Sequence, residues 1–526
     1  MVKNQGKTIK LTGEMALSAV LLLIAFGIGA VVRIQYISGA SYPINDGGLF
    51  YQMAADLIEN GLRIPAFTSY NNDQIPFAYP PLAFYLIALT KLASKQPLID
   101  IFRVFPLVVS ILFLPAFFFF SKTIFNDNIK TALSVLIFAM LPRTYEWFIM
   151  GGGVTRGVGF LSAILALTFI WQIFSKKPDW KNLAGAILFS AACVLSHPET
   201  SLFVVFMAGV FFIYHQFEWR NFKQGLVVAV GVIFCISPWL IAVFSHHGLA
   251  PFQGAGSTGH GEWLEIKNFL TLNFGFENGM FLQVVSMFAL LALFLKKDKL
   301  TYTLAASILI GYFFFPRSGP NLLTMLVAPL SAAGFYQVLI LVGRHADQDL
   351  DFVQTLESSL KAKIILAFLI IYLILGAVSF KYIIESNKLV LSDDLLNVYS
   401  WLDDNLDQED RIMFYPVAGA ERYWWNDYAA EWFPALTTKS NLTTVQGYEW
   451  IEGKYQQQVA EYYLLRTCKA IGPTCVEDWE TRNDSQIEYL VIGQTNDRQD
   501  FVYNFLQQAD YEVVYYQNDY LVLRKK

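Results

Sequence analysis

"PINDGGLFYQMAADLIENG", residues 43–61, holds a single carboxylate, Asp46, between a Pro-Ile-Asn approach and two glycines, and it follows almost directly on an apolar run from Met15 to Val32. A run of ~20 apolar residues is what a helix needs to cross about 30 Å of hydrocarbon. An acid at the mouth of such a span is expensive to place, so it either does local structural work or marks a site. The local work on offer is a helix cap. Leu49, Met53, Ala54 and Leu57 recur at helical spacing and predict a second helix lying along the membrane surface by its apolar stripe. Asp46 stands just ahead of that helix, where the positive end of the dipole favours an anion.

Working outward, the chain reads as a bilayer protein. Of its 526 residues 55% are hydrophobic and only 15% are charged, whereas an ordinary soluble domain has about 25% charged residues. Apolar runs predict eleven crossings, at about 15–34, 100–121, 129–142, 157–174, 182–195, 200–216, 225–244, 281–295, 300–316, 321–342 and 363–384. No small-residue cleavage site follows the first run and ten others do, so it is read as a retained helix rather than a signal peptide. The stretch 79–93, "YPPLAFYLIALTKLA", is short for a crossing. Leaving it out places Lys3, Lys122, Lys176, Arg220, Lys296 and Arg344 on alternate connections, which is the positive-inside pattern. That places the amino terminus in the cytoplasm and makes 79–93 a helix in the outer interface or dipping part way.

The fold class expected is thus a multi-span α-helical membrane domain over 1–384, with a long first outer loop at 35–98, followed by an extracytoplasmic mixed α/β domain over 385–526. The division rests on charge: residues 385–526 carry 12 Lys/Arg against 24 Asp/Glu, net −12, which leaves +7 for the remainder to give −5 in total. Strands are predicted at "RIMFYPV", at "IEYLVIG" and on either side of an Asn-Asp turn near the end, with helices at "LSDDLLNVYSWLDDNL" and "DFVYNFLQQA". If this region faces an oxidising compartment, Cys468 and Cys475 pair as a small disulfide loop. The cell membrane is the expected location and nucleic acid is not an expected partner.

The unusual residues fall on the outer connections. Arg156 follows the glycines of "GGGVTR", whose exposed N–H groups can approach an oxyanion closely, and an arginine beside such a turn makes a good phosphate fork. Arg317 in "FFFPRSGPNLL" repeats the arrangement. Snorkelling into the headgroups is the ordinary alternative for both. His197 and Glu199 in "LSHPETSLF" are read either as site groups or as helix-capping residues, and Glu146 as a second carboxylate or part of an interfacial aromatic belt. The segment from Glu421 to Gly453 sets Trp424, Trp425, Trp432 and Trp450 among acids and amides. Flat aromatic faces beside hydrogen-bonding groups suit a carbohydrate, and an aromatic packing layer is the alternative.

The first span, the Asp in "DGGLFYQMA", the surface helices after it and the "YPPLAFYL" helix together resemble the GT-C superfamily of integral-membrane glycosyltransferases, which includes protein O-mannosyltransferases, lipid A aminoarabinose transferases and oligosaccharyltransferase catalytic subunits. The resemblance covers roughly residues 15–345. It implies that Asp46 takes the catalytic acid position, that Tyr79 opens the Pro-Pro-Leu helix, and that the donor is a polyprenyl-phosphate-linked sugar, with a glycan, lipid or protein as acceptor and membrane lipids around the helices. Transfer with inversion is expected, Asp46 acting as general base and Arg156, Arg317 and His197 facing the lipid phosphate. Gly47 stands where the family usually has a second acid, which weighs against a bound divalent metal. Two other classes compete: a transporter or flippase of a lipid-linked glycan, and a non-catalytic glycan-binding assembly subunit.

Overall fold

The structure, a computed structural model, describes residues 13–175, 179–258, 284–315, 318–343, 351–387, 390–416, 423–493, 498–508, 510–517 and 520–526. Among them, long helices run over Gly13–Ile37, Leu98–Phe125, Gly153–Ser175, Trp219–His247, Thr324–Gly343 and Leu360–Asn387, and six helices are long and apolar enough to cross a membrane. Asn128–Met140 joins Pro142–Ile149 through an 88° bend and passes the same test as a pair. Trp180–Val194, Pro198–Tyr214, Val284–Leu295, Lys299–Phe314 and Leu82–Ser94 are apolar but shorter.

The 88° bend has a local cause. Pro142 brings no N–H to continue the ladder, so the last carbonyls of Asn128–Met140 need donors from elsewhere. Arg33, on the first helix and fully buried, supplies them: its guanidinium donates to the carbonyls of Ala139 (2.9 Å) and Gly29 (2.9 Å) and to the hydroxyls of Ser110 (3.1 Å) and Thr144 (3.0 Å). It also lies over the Tyr145 ring, 4.9 Å from the centroid. Gly29 lets the helices approach closely here, since a Cβ on it would sit 3.0 Å from that of Ala139. Below the bend the bundle is filled by phenylalanines, with Phe117 and Phe138 stacked at 3.9 Å.

The C-terminal region holds a four-stranded sheet of β1 (Ile412–Phe414), β2 (Tyr489–Ile492), β3 (Tyr511–Gln517) and β4 (Tyr520–Lys525), in the order β1-β2-β4-β3. The β1–β2 pair is parallel and the others are antiparallel. The expected Asn-Asp turn, 518–519, lies outside the described residues. A disulfide joins Cys468 to Cys475, tying helix Lys454–Ile471 to helix Pro473–Asn483.

One expectation needs correcting. Leu49, Met53, Ala54 and Leu57 do form a stripe on helix Gly48–Glu59, but that stripe does not lie on lipid. All four are buried in a core shared with Tyr70, Phe77, Phe102, Trp432 and Phe433. Helical spacing marks an apolar face without saying what covers it, and here aromatic residues from the far end of the chain do so. The first loop and the C-terminal region are therefore halves of one core.

Candidate active site

Asp46 occupies a turn built by its neighbours' backbones. Asn45 and Gly47 both have positive φ, 58° and 134°, so the chain doubles back on either side of the acid. The Ile44 carbonyl accepts from the Gly151 N–H at 2.9 Å, which lays this turn against the glycine triplet 151–153. The fit admits little else. A Cβ on Gly47 would lie 2.8 Å from the Gly151 carbonyl carbon, and one on Gly152 would lie 2.2 Å from Asp46 Oδ2. The oxyanion that the triplet meets is therefore the carboxylate of Asp46, which accepts from the Gly152 N–H at 3.2 Å.

Arg156 completes the group. It sits in the first turns of helix Gly153–Ser175, and its Nη2 lies 3.2 Å from Asp46 Oδ2 and 3.4 Å from Oδ1. Both side chains keep about a fifth of their surface exposed, 22% for Asp46 and 21% for Arg156, so the pair remains open to a reactant. Arg156 Nε is buried and has no hydrogen-bond partner among the described residues. A guanidinium with one edge engaged and Nε unsatisfied is prepared for a further oxyanion.

A second carboxyl group lies within this site and comes from far along the chain. Glu431, on helix Tyr428–Leu436, is 3% exposed; its Oε1 accepts from the Gly47 N–H at 2.9 Å and its Oε2 from Gln446 Nε2 at 3.2 Å. Burial, then the charge of Asp46, pushes its carboxyl up to about 8, against a pull downward from the N–H groups of Gly47, Gly48 and Leu49. At neutral pH Glu431 therefore keeps its proton and adds no second negative charge beside Asp46. The acid missing at Gly47 is present in space, as Glu431.

The remaining expected residues divide into supports and packing. Tyr79 pairs its hydroxyl with that of Thr155 at 3.3 Å and packs its ring on Phe50 and Trp450, walling the site beside Arg156. His197 caps helix Pro198–Tyr214, its Nδ1 accepting from the Thr200 N–H at 3.3 Å, and it packs on Gly159 of the Arg156 helix. Glu199 accepts from the Ser318 N–H (3.1 Å) and hydroxyl (2.5 Å). It thereby anchors the chain just after Arg317, which lies outside the described residues. Glu146 opens the short helix Glu146–Ile149, near Arg143, and no hydrogen bond joins it to Asp46 among the described residues.

Three of the four tryptophans read as sugar platforms are built into the interior. Trp432 is fully buried and its indole N–H donates to the Asn45 carbonyl at 2.8 Å, next to Asp46. Trp424 is enclosed with Val445 and Tyr462, and Trp450 with Ala78, Trp239 and Val243. Trp425 alone of the four is partly exposed, stacked on Tyr423 at 4.3 Å. Amphipathic rings of this density serve packing as readily as binding, and composition cannot tell the two apart.

The contact at Gly152 gives a sharp test. Gly152→Ala sets a methyl group where Asp46 Oδ2 now lies, so the carboxylate must turn away from Arg156. Activity is expected to fall by about 10²-fold, the scale of a misplacement of about 1 Å. Initial rates at saturating substrate, with a melting curve as control, check it.

Neither a protein-family model nor a curated protein sequence matches the chain. Solved structures do match its fold. The archaeal oligosaccharyltransferase AglB from Archaeoglobus fulgidus, in complex with an inhibitory peptide and a dolichol-phosphate, aligns with a TM-score of 0.55 and 12% identity over 91% of this chain and 69% of its own. ArnT from Cupriavidus metallidurans in the apo state aligns with a TM-score of 0.58 and 9% identity over 97% and 98%. ArnT is also solved bound to undecaprenyl phosphate, with a TM-score of 0.53 to this chain. The arabinofuranosyltransferase AftD from Mycobacteria aligns with a TM-score of 0.58 and 11% identity over 96% of this chain and 39% of its own. All three proteins are GT-C glycosyltransferases, and the fold of this chain is theirs.

Proposed function

We propose that this chain moves a sugar from a polyprenyl-phosphate donor to an acceptor hydroxyl at the extracytoplasmic face of the cell membrane, with Asp46 as general base. The observation that carries this reading is the half-open pair of Asp46 and Arg156, 3.2 Å apart, at the glycine turn of a GT-C fold. The acceptor oxygen bonds to the anomeric carbon as its proton passes to the Asp46 carboxylate. The bond from that carbon to the phosphate oxygen breaks from the opposite side, its electron pair leaving on the lipid phosphate, so the anomeric configuration inverts. Arg156 offers its unsatisfied Nε to that phosphate and stabilises the charge that develops there.

A divalent metal does not suit these residues. Among the described residues no three His, Cys, Asp or Glu side chains converge, and the Asp46 carboxylate is turned to a guanidinium and an amide. Charge compensation therefore falls to Arg156, with Arg317 as a second contributor. In this reading eleven helices cross the membrane, Leu82–Ser94 lies in the outer interface, the amino terminus is cytoplasmic and the disulfide-bearing region from residue 385 is outside.

Purified full-length protein, given a synthetic polyprenyl-phosphate sugar and a panel of hydroxyl acceptors, is expected to release the lipid phosphate over many turnovers with one glycoside formed per release. Donor binding at one equivalent without release would place the chain among non-catalytic subunits. Movement of intact donor across vesicles would make it a flippase.

A further inference from the structure

We propose that Glu431 is a positioning residue: reaching across from the C-terminal region, its carboxyl group caps the helix that follows Asp46 and so leaves the Asp46 carboxylate free to face Arg156. This rests on the reading of Asp46 as the base. A helix start exposes N–H groups that need an acceptor. Helix Gly48–Glu59 begins at Gly47, which has no side chain to offer and no side-chain cap of its own. The nearest acceptor along the sequence is Asp46, yet its oxygens go to Gly152 and Arg156 instead. Glu431 takes the vacant role, accepting from the Gly47 N–H at 2.9 Å, while Gln446 holds its other oxygen.

The neighbouring bonds make this a clamp rather than a chance contact. The Glu431 carbonyl accepts from the Tyr70 hydroxyl at 2.8 Å, and Trp432 Nε1 donates to the Asn45 carbonyl at 2.8 Å. The Asp46 turn is thus gripped on both flanks by two consecutive residues. A Cβ on Gly48 would lie 2.5 Å from the Glu431 carbonyl oxygen, so the second glycine of "DGG" is the space into which helix Tyr428–Leu436 fits. The titratable groups facing Glu431 are Asp46 from the turn, Tyr70 from the first loop and Tyr399 from helix Asp393–Asn405. Removal of the cap leaves the helix N-terminus to recruit the closest anion, and that anion is Asp46.

Two mild variants of the full-length protein separate reach from acidity. Glu431→Gln keeps the reach and an acceptor oxygen, and matches the protonated carboxyl in charge. Its kcat is expected within about threefold of wild type. Glu431→Asp keeps the acid but falls one methylene short of Gly47. Its kcat is expected to drop about tenfold or more with the donor KM unchanged, and amide exchange at residues 47–49 to accelerate. Wild-type exchange at those amides in Glu431→Asp, or a Gln variant as impaired as the Asp one, would overturn the clamp. The exchange measurement does not depend on the chemistry, so full activity in Asp46→Asn would remove the base assignment and leave this test standing.

Discussion

Asp46→Asn is expected to lower sugar transfer by about 10²–10⁴-fold, the usual contribution of a general base, while leaving the protein folded. The amide is isosteric with the carboxylate, so its oxygen still accepts from the Gly152 N–H and the turn keeps its shape. What is lost is the proton acceptor and the ion pair with Arg156. That pair is partly exposed on both sides, so its removal costs no more than about 1 kcal/mol. The donor KM should change little, because Arg156 remains to meet the phosphate. Single-turnover rates with excess enzyme, alongside a thermal melt in detergent, check both halves. Turnover within tenfold of wild type would take Asp46 out of the chemistry.

The largest effect on stability is expected at Arg33, far from the reacting groups. Arg33→Met fills the space but removes the donors to Gly29, Ser110, Ala139 and Thr144 together. Each hydrogen bond to a charged group contributes about 1.5–3 kcal/mol, and each buried carbonyl left unpaired costs about 1–3 kcal/mol. Several such terms at once rival the whole stability of a domain. The variant should fail to yield monodisperse protein, or melt far below wild type. Arg33→Lys should not rescue it, since a point charge cannot span acceptors that a planar fork reaches on several sides. A wild-type melting temperature in Arg33→Met would show that the bend at Pro142 is held by packing instead.

These two positions mark what the sequence does and does not disclose. Asp46 was visible, because an acid beside a bilayer span stands out against its surroundings, and so was the oxyanion-seeking character of the glycine triplet. Their meeting was not: Asp46 and Arg156 are 110 residues apart, and local patterns carry no information on which turn packs on which. Arg33 passed unremarked near the end of an apolar run, where an arginine is ordinarily taken to snorkel. The signal that would have exposed it is the pairing of a span-embedded arginine with a proline-broken helix. Glu431 was hidden among tryptophans that drew a sugar-binding reading. Helix positions were legible from hydropathy along the chain, because apolar length is a local property. The identity of the surface covering the stripe of helix Gly48–Glu59 was not.

The shared core of the first loop and the C-terminal region sets an order of events during biosynthesis. Asp46 emerges early, but the Glu431 that grips its turn lies 384 residues later. At about 5–20 residues per second of translation, that separation leaves the reactive turn unassembled for on the order of half a minute. A truncated or stalled nascent chain would carry every spanning helix and still be inert, so the activity is licensed only by completion of the polypeptide.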